Sequence, residues 1–470
     1  MSAGQLARLV GVPQDARPYY RALASAVRDR ILDGRLPVRV RLPAERQLAE
    51  ELGVSRTTVT AAYDRLRGQG YLDSRQGAGS WTALPDPSAC ADNPWVSADD
   101  DGLLPLHAAA PAASRFLDEA LAHAGAGYHR FTLGMGYDPI GLPELRAAIA
   151  ARYTARGLAT RPEQIIVTTG AQQAIHLLMT LYAGAGDPVL LESPTYPHVI
   201  DLARLRGARI VPVGIPADGR HLDLLISAAR QSGAQLAYLI PDFQNPTGHL
   251  MSADDRVALV AAARRHDMTV IVDETWAELA VDDLEQPPPT AVFDTDGRVV
   301  SVGSASKLWW GGLRIGWIRA SAALVRRLAV LRAAVDIASA LFEQLVVARL
   351  FDRIEETRAE RRRALAASRA ALVDVLRREL PDWSFRVPGG GGSLWIRLGA
   401  PIATPLSEAA AAAGVRLAPG PWFGVDGTLE GHLRLPFTQP PDVLVDAVRR
   451  IAASRGAAGR SPRASLIPAL

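Results

Sequence analysis

Apolar positions early in the chain recur at helical spacing. Tyr20, Leu23, Val27 and Ile31 share one face of a helix expected over 19–33 and stopped at Gly34. Pro43 sits at the start of a second helix, 45–52, which Gly53 closes, and Ser55 suits the N-cap of a third, 56–68. The four-residue connection from Leu52 to Ser55 between two short helices is helix-turn-helix punctuation. Tyr71 and Leu72, then Ser80 and Trp81, flank Gly77 and Gly79, which predicts a two-stranded wing with a glycine tip. Residues 83–103 are rich in Pro, Asp, Ala and Ser, show no periodicity, and read as a flexible linker. From about Gly134, short apolar runs alternate with helical stretches, at 164–168, 188–192, 209–213, 236–240, 269–272, 299–302 and 314–318. That alternation predicts an α/β unit whose mostly parallel sheet is covered by helices. A broken helical stretch, 322–378, leads to a smaller α+β unit with apolar runs at 393–398 and 432–435. The expected organisation is a tail over 1–16, a head over 17–82 and the linker over 83–103. A body over 104–454 follows, its small subdomain starting near 331, and then a frayed tail, 455–470.

Charge changes this picture locally. The chain of 470 residues has a formal net charge of only +3. Residues 17–80 carry twelve Arg against seven acidic residues, a surplus of +5, which leaves −2 for the rest. The basic surplus therefore belongs to the head and points to an anionic partner there. The single cysteine, Cys90, can form neither an internal disulfide nor a cysteine-based metal site. A reducing cytoplasm is expected, no metal is, and no apolar run is long enough for a membrane span.

Lys307 is the only lysine; the other 51 basic side chains among the 52 Lys+Arg are Arg. A guanidinium stays protonated, whereas a desolvated lysine amine can lose its proton and attack a carbonyl to form a Schiff base. Arg bias alone can leave one stray lysine, so its neighbours decide. Thr169-Gly170-Ala171-Gln172-Gln173 follows an expected strand and opens a helix, a geometry that offers backbone N–H groups to a phosphate. Tyr196 comes after a strand end, Asn245-Pro246-Thr247-Gly248 forms a tight turn, and Asp273 closes another strand. Ser304-Ala305-Ser306-Lys307 then precedes Arg314 and Gly316. Singly these are ordinary turns and caps; in this order, ending on the only lysine, they favour chemistry.

Two resemblances follow. The run from Leu42 to Leu66, with Arg46, Ser55, Arg56, Thr57, Thr58, Thr60 and Tyr63, resembles the winged helix of GntR-type bacterial regulators. It implies that Arg46, Ser55, Arg56, Thr57, Thr58, Thr60 and Gly77 face double-stranded operator DNA. The ordered motifs over about 134–453 resemble fold-type I pyridoxal-phosphate proteins, the aspartate aminotransferase superfamily. That resemblance implies that Lys307 forms the Schiff base with the cofactor, Asp273 pairs with its ring nitrogen, and Asn245 bonds its ring hydroxyl. Tyr196 stacks on the ring. Ala171, Gln172, Ser304, Ser306 and Arg314 bind the phosphate, and Tyr137 reaches the phosphate in the neighbouring subunit of a homodimer. Arg434 forks onto a ligand carboxylate. One departure stands out: Trp276 or Thr275, not a Tyr, occupies the place where the family pattern carries a Tyr. Cofactor binding is expected to survive that change; efficient transamination is not.

A GntR-type head on an aminotransferase-like body resembles the MocR subfamily of transcription regulators. The expected function is a pyridoxal-phosphate-dependent regulator that senses an amine, an amino acid or the cofactor itself. The alternatives are a working aminotransferase with a DNA-binding appendage, and a DNA-binding module whose body only dimerises.

Overall fold

The structure, a computed structural model, describes residues 1–12, 18–68, 70–75, 79–83, 102–216, 219 and 222–458. Gly77, most of the expected linker and the last twelve residues lie outside the described residues.

The head's three expected helices are Tyr19–Leu32, Glu45–Leu52 and Arg56–Gly68, and its wing pairs Leu72–Arg75 with Gly79–Thr82 antiparallel. Leu23, Val27 and Ile31 meet Leu48, Val59 and Leu66 in a core of their own. Gly53 adopts φ 65° after the second helix, and Ser55 Oγ accepts from the Thr58 N–H at 3.2 Å as the third begins. The stretch expected to be a tail is instead a fourth helix, Ala3–Val10. Ser2 caps it, Gly11 ends it, and Leu6 and Val10, four residues apart on one face, are buried in the head core.

In the body, a seven-stranded sheet runs from Ile165–Thr168 at one edge through Gly316–Arg319, Val299–Ser304, Thr269–Asp273, Leu236–Leu239 and Pro188–Ser193 to Arg209–Gly214. Neighbours among the last five strands are parallel, but Gly316–Arg319 runs antiparallel to both of its partners. That reversal has a consequence for the site. Gly316 pairs with Thr168 on one side and Ser304 on the other, so the chain just before it returns Arg314 to the carboxyl ends of those strands. Ser193, Leu239, Asp273 and Ser304 end their strands at the same edge, the usual ligand side of an open α/β sheet. Apolar cores cover both faces.

The long helical stretch resolves into Ala322–Ala333, Leu341–Phe351 and Ile354–Glu379. Leu341–Phe351 packs on Leu117–Tyr128 and Pro143–Ala155, while Ile354–Glu379 packs on the later helix Pro441–Ala458. The small sheet orders Ser384–Phe385, Ser393–Arg397, His432–Pro436 and Ala418–Pro419. Leu104–Pro105 pairs in parallel with Val415–Arg416, so the chain leaving the linker is fastened to this subdomain. Among the described residues no helix is long and apolar enough to cross a membrane.

Candidate cofactor and ligand site

Lys307 leaves the turn after strand Val299–Ser304; its side chain is half-buried overall, while the amine at its tip is enclosed by protein. Its Nζ donates to the Ala109 carbonyl at 2.8 Å and lies 5.3 Å from the centre of the Trp276 ring. Burial first, then the Arg434 charge, lower its pKa from 10.5 to about 8, with Asp273 pulling the other way. Near neutral pH a minority of this amine is therefore unprotonated, as a nucleophile requires.

Asp273 ends its strand with both carboxylate oxygens occupied. Tyr238 Oη donates to Oδ2 at 2.6 Å and the Thr275 N–H to Oδ1 at 2.9 Å. Burial raises its pKa, while these donors and Lys307 favour the charged form. Tyr238 was not legible as a site residue, because a tyrosine in an apolar strand reads as core. Arg434, on strand His432–Pro436, is buried; its Nη1 donates to Asn245 Oδ1 at 3.4 Å and its Nη2 to the His107 carbonyl. Its guanidinium carbon lies 4.8 Å from the centre of the Phe423 ring, and burial lowers its pKa to about 10. Tyr196, just before helix Pro197–Leu205, is pushed well up by burial and then by the Asp273 charge.

The phosphate end is built by close backbone approach. Gly170 opens helix Gly170–Tyr182 with φ 79°, and a Cβ there would come 2.7 Å from Arg314 Nη2. The Arg314 guanidinium reaches the Thr169 carbonyl at 3.5 Å. The Ala171 N–H belongs to the helix's first turn, whose donors have no intrahelical partner. Ser304 Oγ accepts from the Ser306 N–H at 3.1 Å and bonds Ser306 Oγ at 3.0 Å, so the two hydroxyls are neighbours. Gln172 Oε1 is buried without a hydrogen-bond partner. A glycine cradle, an arginine and two hydroxyls fit a phosphate, and a buried carboxylate with a desolvated amine fits a pyridine aldehyde.

Lys307, Asp273, Asn245, Tyr196, Arg314, Ser304 and Ser306 lie at one edge of the large sheet and in its flanking loops, with Ala171 and Gln172 in the helix that opens there, and Arg434 reaches Asn245 from a strand of the small sheet. Tyr137 stands apart on an exposed loop. Trp276 is buried, its ring packed where a Cβ on Gly392 would come within 2.5 Å, so no phenol stands there. Sequence reasoning also missed the strap from Leu104 to Ala109, whose backbone carbonyls meet Lys307 and Arg434. Main-chain groups leave no residue signature.

In the head, Arg46 and Arg56 are exposed, Arg46 pairing with Glu50 at 3.1 Å and Arg56 lying 3.8 Å from Glu45. Ser55 Oγ lies 2.8 Å from the hydroxyls of both Thr57 and Thr58. Thr60 is partly buried and donates to Glu45 at 2.8 Å, which ties it to the neighbouring helix.

Residues 97–451 match the family described as aminotransferase class I and II, and residues 19–81 match the bacterial regulatory proteins of the gntR family. A probable rhizopine catabolism regulatory protein, MocR, of Rhizobium meliloti is 33% identical, the match covering 78% of each chain. A 2-aminoadipate transaminase of Thermus thermophilus is 30% identical over 74% of this chain and 89% of its own. Among solved structures, the alpha-aminoadipate aminotransferase LysN of Thermus thermophilus, complexed with N-(5'-phosphopyridoxyl)-L-leucine, is 29% identical with a TM-score of 0.69. That match covers 76% of this chain and 93% of LysN. The chain belongs to the aminotransferase class I and II family through its body and, with its gntR-family head, to the MocR type of transcription regulators.

Proposed function

We propose that this regulator binds operator DNA as a homodimer and senses a carboxylate-bearing amine at a pyridoxal-phosphate site. The observation that carries the reading is the sole lysine, desolvated beside Asp273 and Arg434, in one chain with a winged helix. When bound, the cofactor supplies an aldehyde that takes up a primary amine and a pyridinium that withdraws electrons. Lys307 would hold it covalently. Asp273, fixed by Tyr238, would keep a proton on the ring nitrogen, Asn245 would face the ring hydroxyl, and Tyr196 the ring. Ala171, Gln172, Ser304, Ser306 and Arg314 would hold the phosphate. Arg434 would exchange the His107 carbonyl for a ligand carboxylate, a stronger, charge-assisted partner.

A second copy is supported by the loop that carries Tyr137. Leu133, Met135 and Tyr137 are 92%, 87% and 67% exposed, an apolar run that an isolated subunit would leave in water. Tyr137 would complete the phosphate site of the partner subunit. On the head, Arg46, Ser55, Arg56, Thr57 and Thr58 would meet DNA, with Thr60 acting mainly through Glu45.

The transaminase relatives favour a second reading, a working aminotransferase. Trp276 weighs against it, because an indole has no acidic hydroxyl to offer at that place. One titration separates the two. Visible absorption is recorded as pyridoxal phosphate, then a panel of amines and amino acids with 2-oxoglutarate, is added. A band that forms and then shifts with one ligand, without sustained conversion, is expected. Sustained keto-acid-dependent turnover would establish the enzyme instead, and no band at all would leave a DNA-binding dimer.

A further inference from the structure

The head meets the body through the turn after its first long helix. The Leu32 carbonyl accepts from the Leu429 N–H at 2.5 Å. Gly34 follows, where a Cβ would come 3.3 Å from Ser193 Oγ and 3.4 Å from Leu429 Cδ2. Next, the Arg35 Cα lies 3.4 Å from where a Cβ on Gly214 would stand. Ser193 and Gly214 are register partners at the ends of two parallel strands. The turn therefore sits on a saddle, one wall made by those strand ends and the other by the loop 428–432.

Both walls lead into the ligand site. Three residues beyond Ser193 is Tyr196; two beyond His432, on the same strand, is Arg434. The walls are also tied together. The Thr195 N–H donates to the Phe423 carbonyl at 2.9 Å, and the Phe423 ring lies under the Arg434 guanidinium. Trp395 meets Phe423 edge-on at 5.6 Å and stacks on His432 at 5.2 Å. The charges of Asp33 and Arg35 in the head act on His432 in turn. Arg46 and Arg56 stay exposed while the head is seated.

We propose that this saddle is the docking surface through which the ligand site positions the DNA-binding head. A carboxylate taken up by Arg434, with the cofactor against Tyr196, shifts the loops 193–196 and 428–432 and with them the turn 32–35. The signal passes through direct contact rather than through the linker. The proposal rests on the reading that the site holds the cofactor and a carboxylate ligand. Its physical requirement is that the ligand bind the seated and shifted arrangements with different affinity, which a path of packed side chains permits.

The test uses the full-length protein and the reduced adduct phosphopyridoxyl-glycine, which carries phosphate, ring, amine and carboxylate and needs no turnover. Gly214→Gln adds bulk against Gly34 and Arg35 without touching the ligand-site residues or the DNA face. Three quantities are read: adduct binding, amide exchange at Leu429, and operator affinity with and without adduct. In the natural protein the adduct is expected to change operator affinity, by roughly 5–150-fold for couplings of this kind. In Gly214→Gln, adduct binding stays, Leu429 exchanges faster, and the adduct's effect on operator affinity falls to near nothing. Faster exchange with the full effect retained would overturn the proposal in favour of the linker. Unchanged exchange at Leu429 would overturn it too, since the head would not be seated there. Should Gly214→Gln fail to fold, Gly34→Asn presses on Ser193 and Leu429 from the head side with a residue that tolerates left-handed backbone, and has the same outcomes. A flat adduct titration of the natural protein would instead remove the ligand reading itself, before any variant is made.

Discussion

Arginine in the head and arginine in the body work in different solvents. The Arg56 side chain is 72% exposed, with Glu45 at 3.8 Å. Arg434 is buried, bonded to the His107 carbonyl and Asn245, and its pKa is drawn down to about 10. Water and salt screen the first, so each such charge contributes modestly and many share the task of holding a polyanion. The second has lost its hydration, so the group that replaces its present partners decides a large free energy. On the proposed reading, recognition would be spread out and replaceable in the head, and concentrated in a few side chains in the body.

Lys307→Ala tests the concentrated end most severely. It is expected to abolish the visible band on adding pyridoxal phosphate and all response to ligand, while operator binding by the head survives. Loss of both together would erase the contrast between the two regions. Arg434→Met, which keeps bulk and removes charge, is expected to weaken binding of a carboxylate ligand by about 2–5 kcal/mol, read from the ligand-induced spectral shift. A smaller loss than Arg56→Ala causes on DNA would reverse the comparison. Arg56→Ala is expected to cost about 1–3 kcal/mol and to relax preference at one base pair, seen in a binding series of single-base operator variants. Equal loss on every sequence would reassign Arg56 to the phosphates.

The mildest test is pH. On the proposed reading the neutral amine of Lys307 would take up the cofactor, so the rate of uptake should rise through about pH 8 and flatten above it, as stopped-flow absorbance would show. A solvated lysine would keep rising toward 10.5. The same shift has a stability consequence for the cofactor-free protein. The folded pKa lies below the unfolded one, so between about 8 and 10.5 the unfolded chain holds the Lys307 proton more often and this group's own contribution to folding rises with pH, while buried tyrosines such as Tyr238, whose pKa is raised, contribute in the opposite direction near pH 10. A capture midpoint near 10.5 would show that burial does not act on this amine.

What could be read from the chain was local. Helices Glu45–Leu52 and Arg56–Gly68 were legible to the residue, because Gly53 and Ser55 mark their boundaries by backbone conformation and capping. Lys307, Asp273 and Asn245 could be placed at strand ends or a turn from the sequence because each has a motif around it. Helix Ala3–Val10 escaped because eight residues with two core contacts look like a tail until Leu6 and Val10 find the other helices. The antiparallel course of Gly316–Arg319 was invisible for another reason: strand direction is settled by long-range pairing, and an apolar run reads the same either way. The strap carbonyls at His107 and Ala109 belong to the peptide unit, which every residue shares.

An enclosed, solitary lysine also makes this protein a gauge of its own breathing. A protease that cuts only after lysine has a single target in the whole chain, at residue 307, and the folded body holds that target in a turn packed against its core. Where opening and closing are fast relative to cleavage, the rate of that one cut follows how often the turn around Lys307 opens. Once the amine is engaged, the protease loses its recognition handle, so protection from cleavage counts occupied sites without dye, label or added chromophore.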